Sequence, residues 1–84
     1  MIYTVYHKIG CPYCENTKKL IINNKLKYRL YDVDEFGGIE NVVTMLKKNG
    51  YKIGNHKTVP IVFGDGEFIG GNNEFEKFIN KKKR

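Results

Sequence analysis

Cys11-Pro12-Tyr13-Cys14 is the stretch on which the rest of the 84-residue chain is arranged, and it contains both of the chain's 2 cysteines. Their spacing brings the two sulfurs within reach of one disulfide across a single helical turn. It also puts Pro12 where a helix best accepts proline, at its first residue. Cys11 is then the N-cap. Its sulfur faces the unpaired N–H groups of Tyr13 and Cys14 and the positive end of the helix dipole, both of which favour thiolate over thiol. Lys8 adds a cation three residues upstream. Cys11 is therefore the candidate nucleophile, and Cys14, one turn into the helix and half buried, the candidate resolving thiol.

Three other readings compete for the pair. A structural disulfide normally restricts a long loop in the unfolded chain, and this one would close the shortest kind. A zinc site needs about four ligands, and only His7 and His56 are available to join the cysteines, without a second paired cluster. Two unrelated buried cysteines would share this spacing by accident alone. A redox dithiol is the preferred reading.

Outward from the dithiol, the length predicts one small domain over residues 1–84, burying about 60% of its unfolded surface. A hydrophobic content of 40% with 29% charged residues is globular rather than disordered. Met1 to Tyr6 alternates like a strand and lacks the basic start and apolar run of a signal peptide, and no apolar run is long enough to span a bilayer. A reducing, cytoplasmic setting is expected, where a thiol pair is more often catalytic than structural. The net charge of +6 raises the question of nucleic acid. Its lysines and arginines are spread over helices, a strand and the terminal Lys81-Lys82-Lys83-Arg84, with no aromatic-interleaved RNA motif. A solvated cationic surface with a frayed basic tail at 81–84 is preferred, and no nucleic-acid or membrane partner is expected.

In chain order, Ile2 to Tyr6 reads as the first strand and Pro12 to about Asn24 as the first helix, with Cys14, Thr17, Leu20 and Ile21 on its buried stripe. Leu26, Tyr28 and Leu30 alternate with Lys27, Arg29 and Tyr31, the pattern of a second strand with one face buried. Gly37-Gly38 precedes a second helix whose Ile39, Val42, Val43 and Leu46 face the core. A polar loop carries Tyr51 to Lys57. Val59 to Phe63 is predicted as the third strand, turning at Gly64-Asp65-Gly66 into a hairpin partner over Glu67 to Ile69. The last helix is capped by Asn72 or Asn73, with Glu74 and Glu76 in its first turn and Phe75, Phe78 and Ile79 inward. The order is β-α-β-α-β-β-α. The class is α/β, a mixed sheet covered by helices.

Two further stretches suit a ligand. Pro60 removes a backbone donor at the start of a strand and restricts Val59, leaving local polar groups free of the sheet. Gly70-Gly71 before a helix start permits close approach and leaves amide donors for a carboxylate. Either feature is equally well read alone as an ordinary edge proline or an ordinary turn.

Lys8 before Cys11-Pro12-Tyr13-Cys14, then Thr58-Val59-Pro60, then Gly70-Gly71, in this order and at these separations, resembles a dithiol glutaredoxin over nearly the whole chain. The resemblance implies a thioredoxin-like fold with a four-stranded mixed sheet. It also implies a monomeric glutathione-dependent thiol–disulfide oxidoreductase acting on disulfide-bonded and glutathionylated proteins, with glutathione as co-substrate and no metal. By position, Cys11 would attack the glutathione mixed disulfide and Cys14 resolve it. Tyr13 would line the groove, the Val59 backbone would pair with the cysteinyl part of glutathione, and Pro60 would be cis. Lys8 would meet the glycine carboxylate, and the amides of Asn72 and Asn73 the γ-glutamyl carboxylate, with Thr58 and Gly71 bordering the site. The chain departs from the family pattern at Asn73, where an acid often pairs with the ligand's ammonium. It departs again in the longer loop from Gly50 to Lys57, and a second-helix contact would fall near Val43. An iron–sulfur protein with Cys11 and glutathione as cluster ligands is the rival within the family, disfavoured by Pro12 and by the competing Cys14.

Overall fold

The computed structural model describes residues 1–82. Its elements are β1 (Ile2–His7), α1 (Pro12–Asn23), β2 (Lys27–Asp32), a short 3-10 turn (Val33–Phe36), α2 (Ile39–Lys48), β3 (Ile61–Gly64), β4 (Glu67–Gly70) and α3 (Asn72–Lys82). The expected frayed stretch thus begins inside α3, and residues 83 and 84 lie outside the described residues.

The four strands form one sheet in the order β2-β1-β3-β4. β1 and β2 run parallel, which requires a crossover, and α1 supplies it. β3 pairs antiparallel with β1, and β4 antiparallel with β3, so the sheet is mixed. The hairpin turns at Asp65-Gly66, both at positive φ (50° and 83°), and the Asp65 carboxylate accepts the Ile2 N–H at 2.8 Å.

Strand alternation divides the core into two layers. On one face Tyr3, Val5 and Val62 pack with Ile21 of α1 and Phe75 and Ile79 of α3. On the other, Ile61 and Phe63 pack with Val33, with Val42, Val43 and Leu46 of α2, and with Ile53 from the loop after it. Ile53 anchors the Tyr51 to Lys57 segment, which the sequence predicts as a polar loop. Val43, the position considered for a second-helix ligand contact, belongs to this core.

Three elements differ from expectation. The face of β2 that carries Tyr28 and Leu30 is not buried; the two residues are 45% and 37% exposed. β2 is an edge strand, and of the apolar set only Leu26, before the strand, packs against the Tyr3 layer. Lys27 and Arg29 guard this edge in the manner of charged edge strands. β3 begins at Ile61 rather than Val59, because Pro60 has no N–H to give the ladder. α3 is capped by Gly71, whose carbonyl accepts the first helical bond from Phe75 at 3.0 Å, and only Glu74 is acidic in its first turn.

Candidate active site

β1 ends at His7, and the turn that follows is closed by the Cys11 N–H donating to the Lys8 carbonyl at 3.3 Å. Cys11 is the N-cap of α1 with extended backbone (φ −88°, ψ 117°), and Pro12 occupies the first helical position. The Cys14 N–H donates to the Cys11 sulfur at 3.4 Å. A sulfur so placed receives an orphan helix donor and the positive end of the dipole, an arrangement that stabilises an anion. Cys11 is partly exposed and Cys14 buried, and both are free thiols. Burial pushes the Cys14 thiol up to about 12, reinforced by the neighbouring Cys11, while a hydrogen bond from the Lys8 backbone and the charge of Lys18 work against the shift. The two cysteines are therefore chemically unlike: one presented at a helix start, one held as a neutral thiol beneath it.

Beside the dithiol lies a groove of about 180 Å³. Tyr13, in the cysteine loop, forms one wall. Thr58, Val59 and Pro60 form the second, and Gly71, Asn72 and Asn73 the third. Three segments far apart in the sequence thus meet at one place. The Val59–Pro60 bond is cis. Lys8 lies elsewhere. It lines a neighbouring cavity of about 300 Å³ with Asp34, the α2 start at Gly38-Ile39 and, from the shared wall, Val59.

The double glycine has a steric cause. Gly70 sits at φ +139°, and a Cβ there would fall 2.6 Å from the Glu74 Cβ. Glu74 needs that space because its carboxylate turns back to accept the Gly71 N–H at 2.8 Å, the reciprocal half of a capping box. Asn72 joins the helices. Its side-chain oxygen accepts from Asn16 Nδ2 at 2.8 Å and from the buried Thr17 hydroxyl at 3.0 Å, so the start of α3 is fixed to the helix that carries the dithiol.

Two lining residues were not among those expected to bind a ligand, Glu74 and His56. The sequence pattern reads Glu74 as a first-turn acid and His56 as a loop residue open to metal binding. A glycine followed three residues later by glutamate at a helix start is the signal for Glu74; nothing local marks His56. Among the described residues, no group of three or more His, Cys, Asp or Glu comes together as a metal site. His7, the other histidine, is buried in line with Tyr3 and Val5, and its Nδ1 has no hydrogen-bond partner.

The glutaredoxin family model matches residues 3–69. The chain belongs to the glutaredoxin family. It is similar to glutaredoxin-2 of Schizosaccharomyces pombe, with 28% identity over 74 residues that cover 88% of this chain and 64% of that protein. To a glutaredoxin of Ricinus communis it is 37% identical over 68 residues, covering 80% of this glutaredoxin and 62% of that one. It therefore spans less than two thirds of the length of these two relatives. Among solved structures, glutaredoxin 1 from Francisella tularensis superposes with a TM-score of 0.85 at 27% identity, covering 98% of this chain and 95% of that one. A buckwheat glutaredoxin–glutathione complex aligns with a TM-score of 0.72 at 29% identity, covering 95% of this chain and 70% of its own. The neighbours share the thioredoxin fold described above.

Proposed function

We propose that this glutaredoxin is a thiol–disulfide oxidoreductase that uses glutathione to reduce protein disulfides and glutathione mixed disulfides. The observation that carries the reading is the partly exposed Cys11 at the α1 N-cap, beside a groove lined by three segments. A peptide-like ligand is suited to such walls: an unpaired strand backbone at Val59, and helix-start amides for a carboxylate. Glutathione carries a carboxylate at each end. In this reading its γ-glutamyl carboxylate lies at the amides of Asn72 and Asn73, bordered by Gly71 and Thr58. Its cysteinyl backbone meets Val59 beside Pro60, Tyr13 covers the peptide, and its glycine carboxylate points to Lys8. Glu74, one position beyond Asn73, supplies the acid for the ammonium, since a carboxylate that accepts one N–H retains further acceptor sites.

The exchange runs through thiolates. Cys11 attacks the glutathione sulfur of a mixed disulfide; the Cys11–glutathione bond forms and the target protein leaves as thiolate, taking up a proton from water. A second glutathione thiolate then attacks the bound glutathione, giving oxidised glutathione and restoring the Cys11 thiolate. With a protein disulfide, Cys11 attacks one sulfur; the protein S–S bond breaks, a Cys11–protein disulfide forms and the first protein thiolate leaves, taking up a proton from water. Cys14 gives its proton to water and attacks Cys11, which releases the second protein thiolate and leaves the Cys11–Cys14 disulfide; two glutathione thiolates then reduce this disulfide in succession and leave as oxidised glutathione. A reducing compartment suits this cycle.

Two variants test the roles. Cys11→Ser should abolish both reactions. Cys14→Ser should keep release of glutathione from a glutathionylated peptide and lose most reduction of a protein disulfide. Equal losses in both would defeat the assignment.

A further inference from the structure

The ladder between β3 and β4 is irregular at Val62/Phe63 and ends with the pair Val62–Gly70. Beyond it the two walls of the groove, Val59-Pro60 and Gly71-Asn72, continue without sheet pairing. His56 bridges this gap. Its Nε2 lies 3.1 Å from the Pro60 carbonyl oxygen. A carbonyl only accepts, so in this contact Nε2 carries a proton and donates. The ring meets Phe68 of β4 edge-on, with centroids 5.4 Å apart. Its Cε1 lies 3.1 Å from the point where a Cβ on Gly71 would sit, a point that Glu74 Oε1 approaches to 3.5 Å from the α3 side. One half-buried side chain thus touches the Pro60 segment, β4 and the double-glycine turn, and Gly71 lacks a side chain where the ring packs.

We propose that His56 is a positioning residue that ties the Pro60 segment to the Gly71 turn and thereby sets the spacing of the backbone groups that bind glutathione. This rests on the glutathione reading above. Backbone groups at Val59, Asn72 and Asn73 cannot readjust as side chains do, and their spacing must hold to within about 0.5 Å. The hydrogen bond to Pro60 and the ring contact with Gly71 supply that constraint from outside the sheet.

The experiment compares the intact protein with His56→Ala and His56→Gln, the second of which keeps a side-chain N–H able to reach the Pro60 carbonyl. Substrates are one peptide carrying glutathione in mixed disulfide and the same peptide carrying cysteamine. His56→Ala should raise KM for the glutathione substrate about five-fold, the equivalent of one lost hydrogen bond, with a smaller change in kcat. It should lower the preference for glutathione over cysteamine by the same factor, and His56→Gln should recover most of both. In parallel, nitrogen NMR of the ligand-free protein should find the His56 ring protonated at Nε2. The Gly71 and Asn72 amide signals should shift in His56→Ala and return toward their original positions in His56→Gln. Unmoved amides, or a ring protonated only at Nδ1, would overturn the tie whatever the ligand. An unchanged KM in a wild-type background that prefers glutathione would overturn its role in affinity, and a His56→Gln variant as impaired as His56→Ala would refute the hydrogen bond as the cause. A wild-type protein that does not distinguish the two substrates would defeat the glutathione reading instead, while the NMR comparison still decides the tie.

Discussion

Cys14 makes a prediction that can be worked through in numbers. Burial pushes its thiol from about 9 to about 12. The folded value lies above the unfolded one, so below pH 9 both states hold the proton and the group adds no pH dependence. Between about pH 9 and pH 12 the unfolded chain gives up the proton while the folded chain keeps it. Stability must fall there as pH rises, at up to about 1.4 kcal/mol per pH unit. Going from pH 8 to pH 10 should therefore cost the reduced protein about 1 kcal/mol through this group alone. The control is Cys14→Ser, which removes the titration and keeps Cys11. Tyr6, also pushed up by burial, is common to both proteins and cancels. Urea unfolding under excess reductant is the assay. With a denaturant slope near 1 kcal/mol/M, the wild-type midpoint should drop about 1 M further than that of Cys14→Ser. Equal drops would mean that Cys14 is not held as a buried neutral thiol, and the division of labour between the two sulfurs would lose its physical basis. The same burial keeps the Cys14 thiol protonated near neutrality, so in the proposed cycle the step in which Cys14 attacks Cys11 should accelerate with pH well past the range in which an exposed thiol would have levelled off.

Asn72→Ala removes the oxygen shared by Asn16 and the buried Thr17 hydroxyl; thermal or urea unfolding should show a loss of about 1–3 kcal/mol, and a neutral result would mean that water replaces the bond. His7→Leu removes a buried ring nitrogen without a partner, so unfolding should show a gain of about 1 kcal/mol, whereas an equal loss would reveal a partner for Nδ1. Lys8→Ala should raise KM for a glutathione mixed disulfide at low ionic strength and much less at 1 M salt, where screening acts within about 3 Å. Kinetics unchanged at both salt levels would make Lys8 an ordinary surface lysine.

Most of the fold is legible because burial is periodic: Tyr3 and Val5 of β1, Cys14, Thr17 and Ile21 of α1, and Val42, Val43 and Leu46 of α2 recur at the spacing of one face and are buried, and the hairpin turn is marked by Asp65-Gly66. β2 shows where periodicity stops being informative. Alternation states that Tyr28 and Leu30 share a face; it does not state that an edge strand leaves that face open. The site divides in the same way. Cys11, Cys14, Pro60 and the two glycines stand out because each is a residue type with its own local chemistry, and that chemistry needs no knowledge of distant neighbours. His56 and Glu74 look ordinary locally. Their placement depends on what Gly71 lacks: with no side chain there, a histidine fifteen positions earlier and a glutamate three positions later both reach the same small space. A double glycine before a helix is therefore legible as an opening, while the residues that come to occupy it are decided by the packing of β3, β4 and α3. For that reason substitutions at His56 and Glu74, rather than at the cysteines, are the ones expected to distinguish this glutaredoxin's ligand preference from the exchange chemistry proposed for its dithiol.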